Sequence, residues 1–186
     1  MRRIFDLLVA LGLMLILAPL FLFVVLGVRL TSAGPVLFRT CRVGKNSRLF
    51  TMYKFRTMRI DTPQVATHLL KEPAQFLTPF GAFFRRTSLD ELPQLINVLS
   101  GDMTLIGPRP ALFNQDDLVA LRTARGVDAL TPGITGWAQV NGRDELPIPE
   151  KVKLDEWYMR NRSFWLDLKI VGMTVFKVIR KEGVAH

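Results

Sequence analysis

Residues 7–28 carry no charge, and a single proline, Pro19, sits in the middle of them. This run of 22 residues is long enough to cross a bilayer as a helix, for which about 20 suffice. Proline removes a helical hydrogen bond and crowds the carbonyl four residues back, so the helix is predicted to bend near residues 15–18. Both flanks are basic: Arg2 and Arg3 before the run, and Arg29, Arg39, Arg42, Lys45 and Arg48 after it. Basic flanks favour the cytoplasmic side. A straight span would put one flank outside, whereas a helix that enters, bends at Pro19 and returns keeps both inside. Residues 1–30 are therefore expected to form a re-entrant membrane helix, against the competing reading of a plain transmembrane anchor. A cleaved leader fits poorly, because the run is too long and residues 26–29 (LGVR) offer no small-residue cleavage site.

The charge of the chain is distributed to match. Residues 1–60 hold ten Lys or Arg and one acid, Asp6, while residues 61–186 hold fifteen of each sign, so the net charge of +9 lies beside the apolar run. A basic collar of this kind suits anionic lipid headgroups. Nucleic-acid binding, the rival suggested by a pI near 10.3, predicts a basic surface on the folded domain, and the neutral remainder argues against it. The single cysteine, Cys41, excludes an internal disulfide and a thiolate zinc cage. Two distant histidines, His68 and His186, give no imidazole site. Any metal is expected to be a hard, oxygen-held cation such as Mg²⁺.

A turn-rich linker, TSAGP at 31–35, separates the apolar segment from a domain expected over 31–186. Residues 36–42 and 49–55 are predicted strands around the turn GKNS. Residues 62–74 read as a loop or short helix, and the apolar 79–84 as a membrane-surface segment. A helix is predicted over 88–99, capped by Ser88 with Glu91 or by Asp90 itself, since Pro93 is tolerated only in a first turn. The GPRP of 107–110 demands a rigid loop. Residues 114–125 read as a polar helix, 131–136 as a turn, 137–140 as extended, and roughly 150–181 as one helix. That last segment mixes Trp157, Tyr158, Phe164 and Trp165 with Arg160, Arg162, Lys169 and Lys177, as a headgroup-level surface would; a helix packed on the core with a solvated basic face is the equal alternative. The expected fold class is mixed α/β, rich in helix.

Asp90 and Glu91 are the candidate chemical groups. Neighbours on a helix face different ways, so adjacent carboxylates can take different roles. A helix N-terminus would steady a carboxylate nucleophile and a phosphate beside it. Taken alone, the pair is more often simple capping. Its surroundings add weight: Arg85 and Arg86 upstream, Arg109 held between two prolines, and Lys54 and Arg56 at a strand end supply cations suited to a diphosphate. The competing reading for each arginine is a surface ion pair, and Arg109 fits it least, because Pro108 and Pro110 restrict its backbone. Gln139, Asn141 and Arg143 have the chemistry to read a base or sugar hydroxyls, though a plain turn explains them as well.

Four stretches resemble the bacterial sugar transferase family: KFRTM at 54–58, RRTSLDELPQ at 85–94, GDMTLIGPRP at 101–110 and PGITGWAQVNGR at 132–143. Their order and length make the resemblance specific, and it runs from the apolar segment to residues 168–170. It implies a small, monotopic phosphoglycosyl transferase with a membrane-docked catalytic domain at the cytoplasmic face of the bacterial plasma membrane, moving a sugar phosphate from a UDP-sugar to polyprenyl (undecaprenyl) phosphate. Such a step primes O-antigen, capsule or exopolysaccharide assembly and hands its product to later glycosyltransferases. By the same resemblance Asp90 would be the nucleophile and Mg²⁺ ligand, expelling UMP and carrying the phosphosugar. Glu91 would serve as acid/base or hold the acceptor's surroundings, and Arg85 and Arg109 would contact phosphate. Where family members often have Ser-Pro at the helix break, this chain has Ala18 and Pro19. A non-catalytic membrane scaffold is the competing function. It accounts for the anchor but gives the acid pair and the proline-clamped arginine no reason.

Overall fold

The computed structural model describes residues 2–63, 72–142 and 146–180. The apolar run forms two helices, α1 (Arg2–Ile16) and α2 (Ala18–Thr31), bent by 63° at Leu17. The Leu-rich sequence favours helix on both sides, and Pro19 breaks it where the missing N–H and ring clash predict. No single helix among the described residues is long and apolar enough to cross a membrane; the bent pair meets that test together.

Strands β1 (Leu37–Val43) and β2 (Leu49–Phe55) pair antiparallel as expected. The turn between them places Asn46 and Ser47 at positive φ. Next come α3 (Gly81–Arg86), α4 (Gln94–Ser100), β3 (Thr104–Ile106), β4 (Ala111–Leu112), α5 (Asp116–Ala124), β5 (Gly133–Thr135), α6 (Trp137–Asn141), α7 (Ile148–Asn161) and α8 (Phe164–Arg180). One sheet runs β2–β1–β4; the other is a parallel pair, β3–β5. Strand β2 is a sheet edge, and Asn97 of α4 covers it: its side chain accepts from Tyr53 N–H at 3.0 Å and donates to Thr51 C=O at 2.7 Å. A buried amide thus stands in for a fourth strand, satisfying both backbone groups.

Helices α1 and α2 are built into the core. Ala10 packs with Met52, Leu95, Val98 and Met103, and Val24 and Val28 pack with Phe55 and Phe84. Polar pins fix the docking. Arg3 donates to Val98 O and Leu99 O at the last turn of α4, where a cation is favoured. Buried Asp6 accepts from Thr104 Oγ1 at 2.6 Å, and Arg2 pairs with Asp167 of α8 at 3.2 Å. At the other end, Arg56 holds Ser32 and Ala33 after α2. Part of the expected basic collar is therefore spent on joining the apolar pair to the domain.

Several sequence expectations need correction. The helix expected over 88–99 is divided into a 3₁₀ turn at Leu89–Glu91, then α4 from Gln94. Ser88 is left-handed (φ 56°) and makes no side-chain cap, and neither does Asp90. Residues 137–140 are helical, because Gly136 brings the chain against Gly107: a Cβ at Gly136 would lie 2.1 Å from Gly107 O. The turn expected at 131–136 contains β5, which pairs with β3. The long final helix is two, because Arg162 takes an extended ψ of 116° and Ser163 Oγ accepts from Leu166 N–H at 3.2 Å, capping α8. Of the loop expected over 62–74, residues 64–71 lie outside the described residues, and Pro73–Phe76 is a 3₁₀ turn.

Candidate active site

Three segments far apart in sequence converge beneath α2 and α3. The end of β2 supplies Lys54, the 3₁₀ turn supplies Asp90 and Glu91, and the loop between β3 and β4 supplies Arg109. The left-handed Ser88 turns the chain sharply out of α3, costing on the order of 1–2 kcal/mol for a non-glycine residue. Gly81 lets α3 sit directly on Thr57, whose carbonyl would lie 2.1 Å from a Cβ there. Helix α3 is thereby seated against the KFRTM stretch.

The two carboxylates occupy different electrostatic states. Glu91 Oε1 accepts from Lys54 Nζ at 2.7 Å and from Arg109 at 3.3 Å. Burial alone would raise its pKa, but the charges and hydrogen bonds of Lys54 and Arg109 outweigh that and hold it well below the usual carboxylate range. Glu91 stays ionised and works as an acceptor for two cations. Asp90 is 7% exposed, with Lys54 Nζ at 3.9 Å from Oδ2. Burial pushes its pKa up to about 6, aided by the charge of Glu91 and opposed by Lys54, Arg85 and Arg109. Asp90 is therefore a desolvated carboxylate, which is a stronger nucleophile than a hydrated one once ionised.

The other expected site residues fall in several places. Arg85, at the end of α3, lies near enough to lower the pKa of Asp90 and donates to Met58 Sδ at 3.6 Å. Arg86 is exposed on the same helix. Arg56 is buried and turned toward Ser32 and Ala33, where it closes the linker after α2. Gln139 is buried in α6, and neither of its amide atoms has a hydrogen-bond partner among the described residues. Asn141 is exposed and donates to Trp137 O in its own helix. Arg143 lies outside the described residues. Sequence reasoning missed the ion pair between Arg122 and Asp155, which backs the Arg109 loop. The signal was present: Arg122 falls four residues after Leu118, and Asp155 lies midway between Val152 and Tyr158, on the buried faces of their helices.

Mg²⁺ can be tested against this donor set. Among the described residues no three of His, Cys, Asp and Glu gather, so the protein offers no complete cage. Mg²⁺ commonly takes one or two carboxylates and completes its shell with substrate phosphates and water. A lone desolvated carboxylate such as Asp90, which a nearby cation would keep ionised, fits that shared kind of site.

A desolvated acid pair thus lies among Lys54, Arg85 and Arg109, the kind of cations that bind phosphate oxygens. The chain belongs to the bacterial sugar transferase family, whose model matches residues 1–181. It is similar to the uncharacterized sugar transferase EpsL of Bacillus subtilis (strain 168), at 45% identity over 99% of this chain and 90% of the relative. It is 40% identical, over 95% of its length, to the UDP-glucose:undecaprenyl-phosphate glucose-1-phosphate transferase of Escherichia coli (strain K12). It is 35% identical, over 98% of its length, to the undecaprenyl-phosphate galactose phosphotransferase of Salmonella typhimurium. The matches take in 40% and 41% of the length of the latter two proteins.

Proposed function

We propose that this phosphoglycosyl transferase moves a sugar-1-phosphate from a UDP-sugar to polyprenyl phosphate through a covalent intermediate on Asp90. The observation that carries the reading is the state of Asp90: buried, with its pKa raised to about 6 and cations close by. In the first half-reaction an Asp90 oxygen attacks the β-phosphorus of the donor. The bond from that phosphorus to the bridging oxygen breaks, and UMP leaves with the electron pair. In the second, a phosphate oxygen of the lipid attacks the same phosphorus, forming the polyprenyl diphosphosugar and freeing Asp90. Arg85 and Arg109 bind the donor phosphates and offset their charge, while Glu91 keeps Lys54 and Arg109 in place. Bound Mg²⁺, held by Asp90 and the diphosphate, would add further charge neutralisation. Gln139, Asn141 and Arg143 are assigned to the rest of the donor.

The apolar surface supports action on a lipid, and the basic flanks of the apolar run favour the cytoplasmic face. Leu8, Leu15, Ile16, Leu22 and Leu30 on α1 and α2 are exposed, as are Phe5, Phe23, Phe83, Phe164 and Trp165; Phe5 meets Phe164 edge to face, Phe164 meets Trp165, and Phe23 and Phe83 both meet Phe84, so ring contacts join the bent pair to α8 and α3. A patch of this kind marks an interaction surface. Both ends of the bent pair are tied to the same domain, at Arg3 and at Ser32. Helices of 15 and 14 residues meeting at 63° put the bend about 11 Å beyond the line joining their ends, at 1.5 Å per residue. That depth lies within one leaflet of a hydrocarbon core about 30 Å thick, as re-entrant seating requires.

The test is UMP release from a panel of UDP-sugars with undecaprenyl phosphate and Mg²⁺, joined to mass spectrometry of enzyme incubated with donor alone. A phosphosugar adduct on the Asp90 peptide, discharged by the lipid, is the expected result. Turnover with no adduct under rapid quench, or an active Asp90→Asn variant, would overturn the covalent route.

A further inference from the structure

Arg122 and Asp155 form a nearly sealed ion pair behind the site, their side chains 9% and 2% exposed. Arg122 donates through Nε at 3.0 Å and Nη2 at 2.6 Å, both to Asp155 Oδ2. Its remaining nitrogen, Nη1, donates to the backbone carbonyl of Arg109 at 2.8 Å. Sealed ion pairs are costly to desolvate, and apolar side chains of equal volume often serve stability as well. The pair therefore calls for a reason beyond holding α5 to α7. Its contact outside the pair supplies one. Pro108 and Pro110 fix φ on either side of Arg109, and the residue before a proline is itself restricted, so a hold on the Arg109 carbonyl places the whole stiff loop and, with it, the point from which the Arg109 side chain leaves. The guanidinium of the same residue reaches Glu91 at 3.3 Å.

We propose that Arg122, oriented by Asp155, is a positioning residue for the transfer: by holding the Arg109 carbonyl it sets where the Arg109 guanidinium meets Glu91 and the donor phosphates. This rests on the reading that Arg109 contacts the donor. The planar fork of arginine reaches carboxylate and carbonyl together, whereas lysine keeps the charge but presents a point donor on a shorter reach.

The test uses the full chain in lipid nanodiscs, with Arg122→Lys, Arg109→Gln and the double variant. Donor KM and kcat are read from UMP release, the thermal midpoint is recorded, and hydrogen exchange is followed in peptides covering 105–112, 116–124 and 148–161. Arg122→Lys is expected to lower kcat/KM for the donor about tenfold and to speed exchange in 105–112 alone. The double variant is expected to be no worse than Arg109→Gln, because residues acting as one unit are non-additive. Independent, multiplying losses, or faster exchange in 116–124 and 148–161 with donor kinetics unchanged, would overturn the proposal and leave the pair as a helix clamp. If Arg109→Gln is silent, the donor-contact reading fails and the proposal with it. Should the wild type release no UMP from any donor, exchange in 105–112 still decides: unchanged exchange in Arg122→Lys refutes the hold on the loop. Asp155→Asn provides the same comparison if Arg122→Lys does not fold.

Discussion

At the scale of single residues, Asp90 pits function against stability. Its folded-state pKa of about 6 lies above the ordinary value of 3.8, so between those pH values the folded chain holds the proton more tightly than the unfolded chain. The associated stability is fully present below about pH 4 and is lost as pH rises through about 6. At neutral pH the ionised group is a net cost. Asp90→Asn is therefore expected to abolish transfer and to raise stability by on the order of 1–3 kcal/mol, read as a higher thermal midpoint; an inactive variant of lowered stability would contradict it. On the proposed covalent route Asp90 must be ionised, so kcat/KM for the donor should fall about tenfold per unit below pH 6 and level off above it. A profile flat from pH 5 to 8 would show that Asp90 does not gate the reaction. Glu91, clamped by Lys54 and Arg109, should contribute no ionisation in that range.

Among the elements, the edge strand β2 and the bent helix pair carry the consequences. Asn97→Ala leaves Tyr53 N–H and Thr51 C=O without their partner. With an expected cost of about 2–3 kcal/mol, it should lower the denaturation midpoint and, because Lys54 sits on the same strand, reduce activity together with stability. Single cysteines at positions 4 and 30 in a Cys41→Ser background should react with an impermeant thiol reagent from the same side of the membrane. Labelling from opposite sides would establish a span. Pro19→Ala frees the helix to straighten and sets it against the pins at Arg3 and Asp6, so protection of the first turn of α1 from exchange is expected to drop.

Over the whole molecule, the bent helix pair and the domain that follows it share their hydrophobic cores. The cluster around Ala10, Leu95 and Val98 and the cluster around Val24, Phe55 and Phe84 each draw on both. A fragment of residues 32–186 would expose those faces and leave Thr104 and the last turn of α4 without Asp6 and Arg3. It is expected to aggregate or to lack cooperative unfolding, as measured by circular dichroism during heating. A monomeric, cooperatively folded fragment would show that the helices are a detachable tether.

The sequence by itself determined the local features: the charge-free run, its bend at Pro19, the β1–β2 hairpin, the rigid loop at Arg109 and the acid pair itself. Each follows from residue spacing or from the backbone limits of proline. Tertiary structure alone decided how the helix expected over 88–99 divides, why residues 137–140 coil, and what the cations do. Gly136 against Gly107, and the left-handed Ser88, are choices made by close approach between distant segments, which local propensity does not encode. Lys54, a cation expected near the phosphates, is bonded to Glu91, and Arg56, expected at the same strand end, closes the linker. A charge pattern announces that cations are present. Only packing determines which of them are spent on neighbours and how far burial shifts the pKa of Asp90.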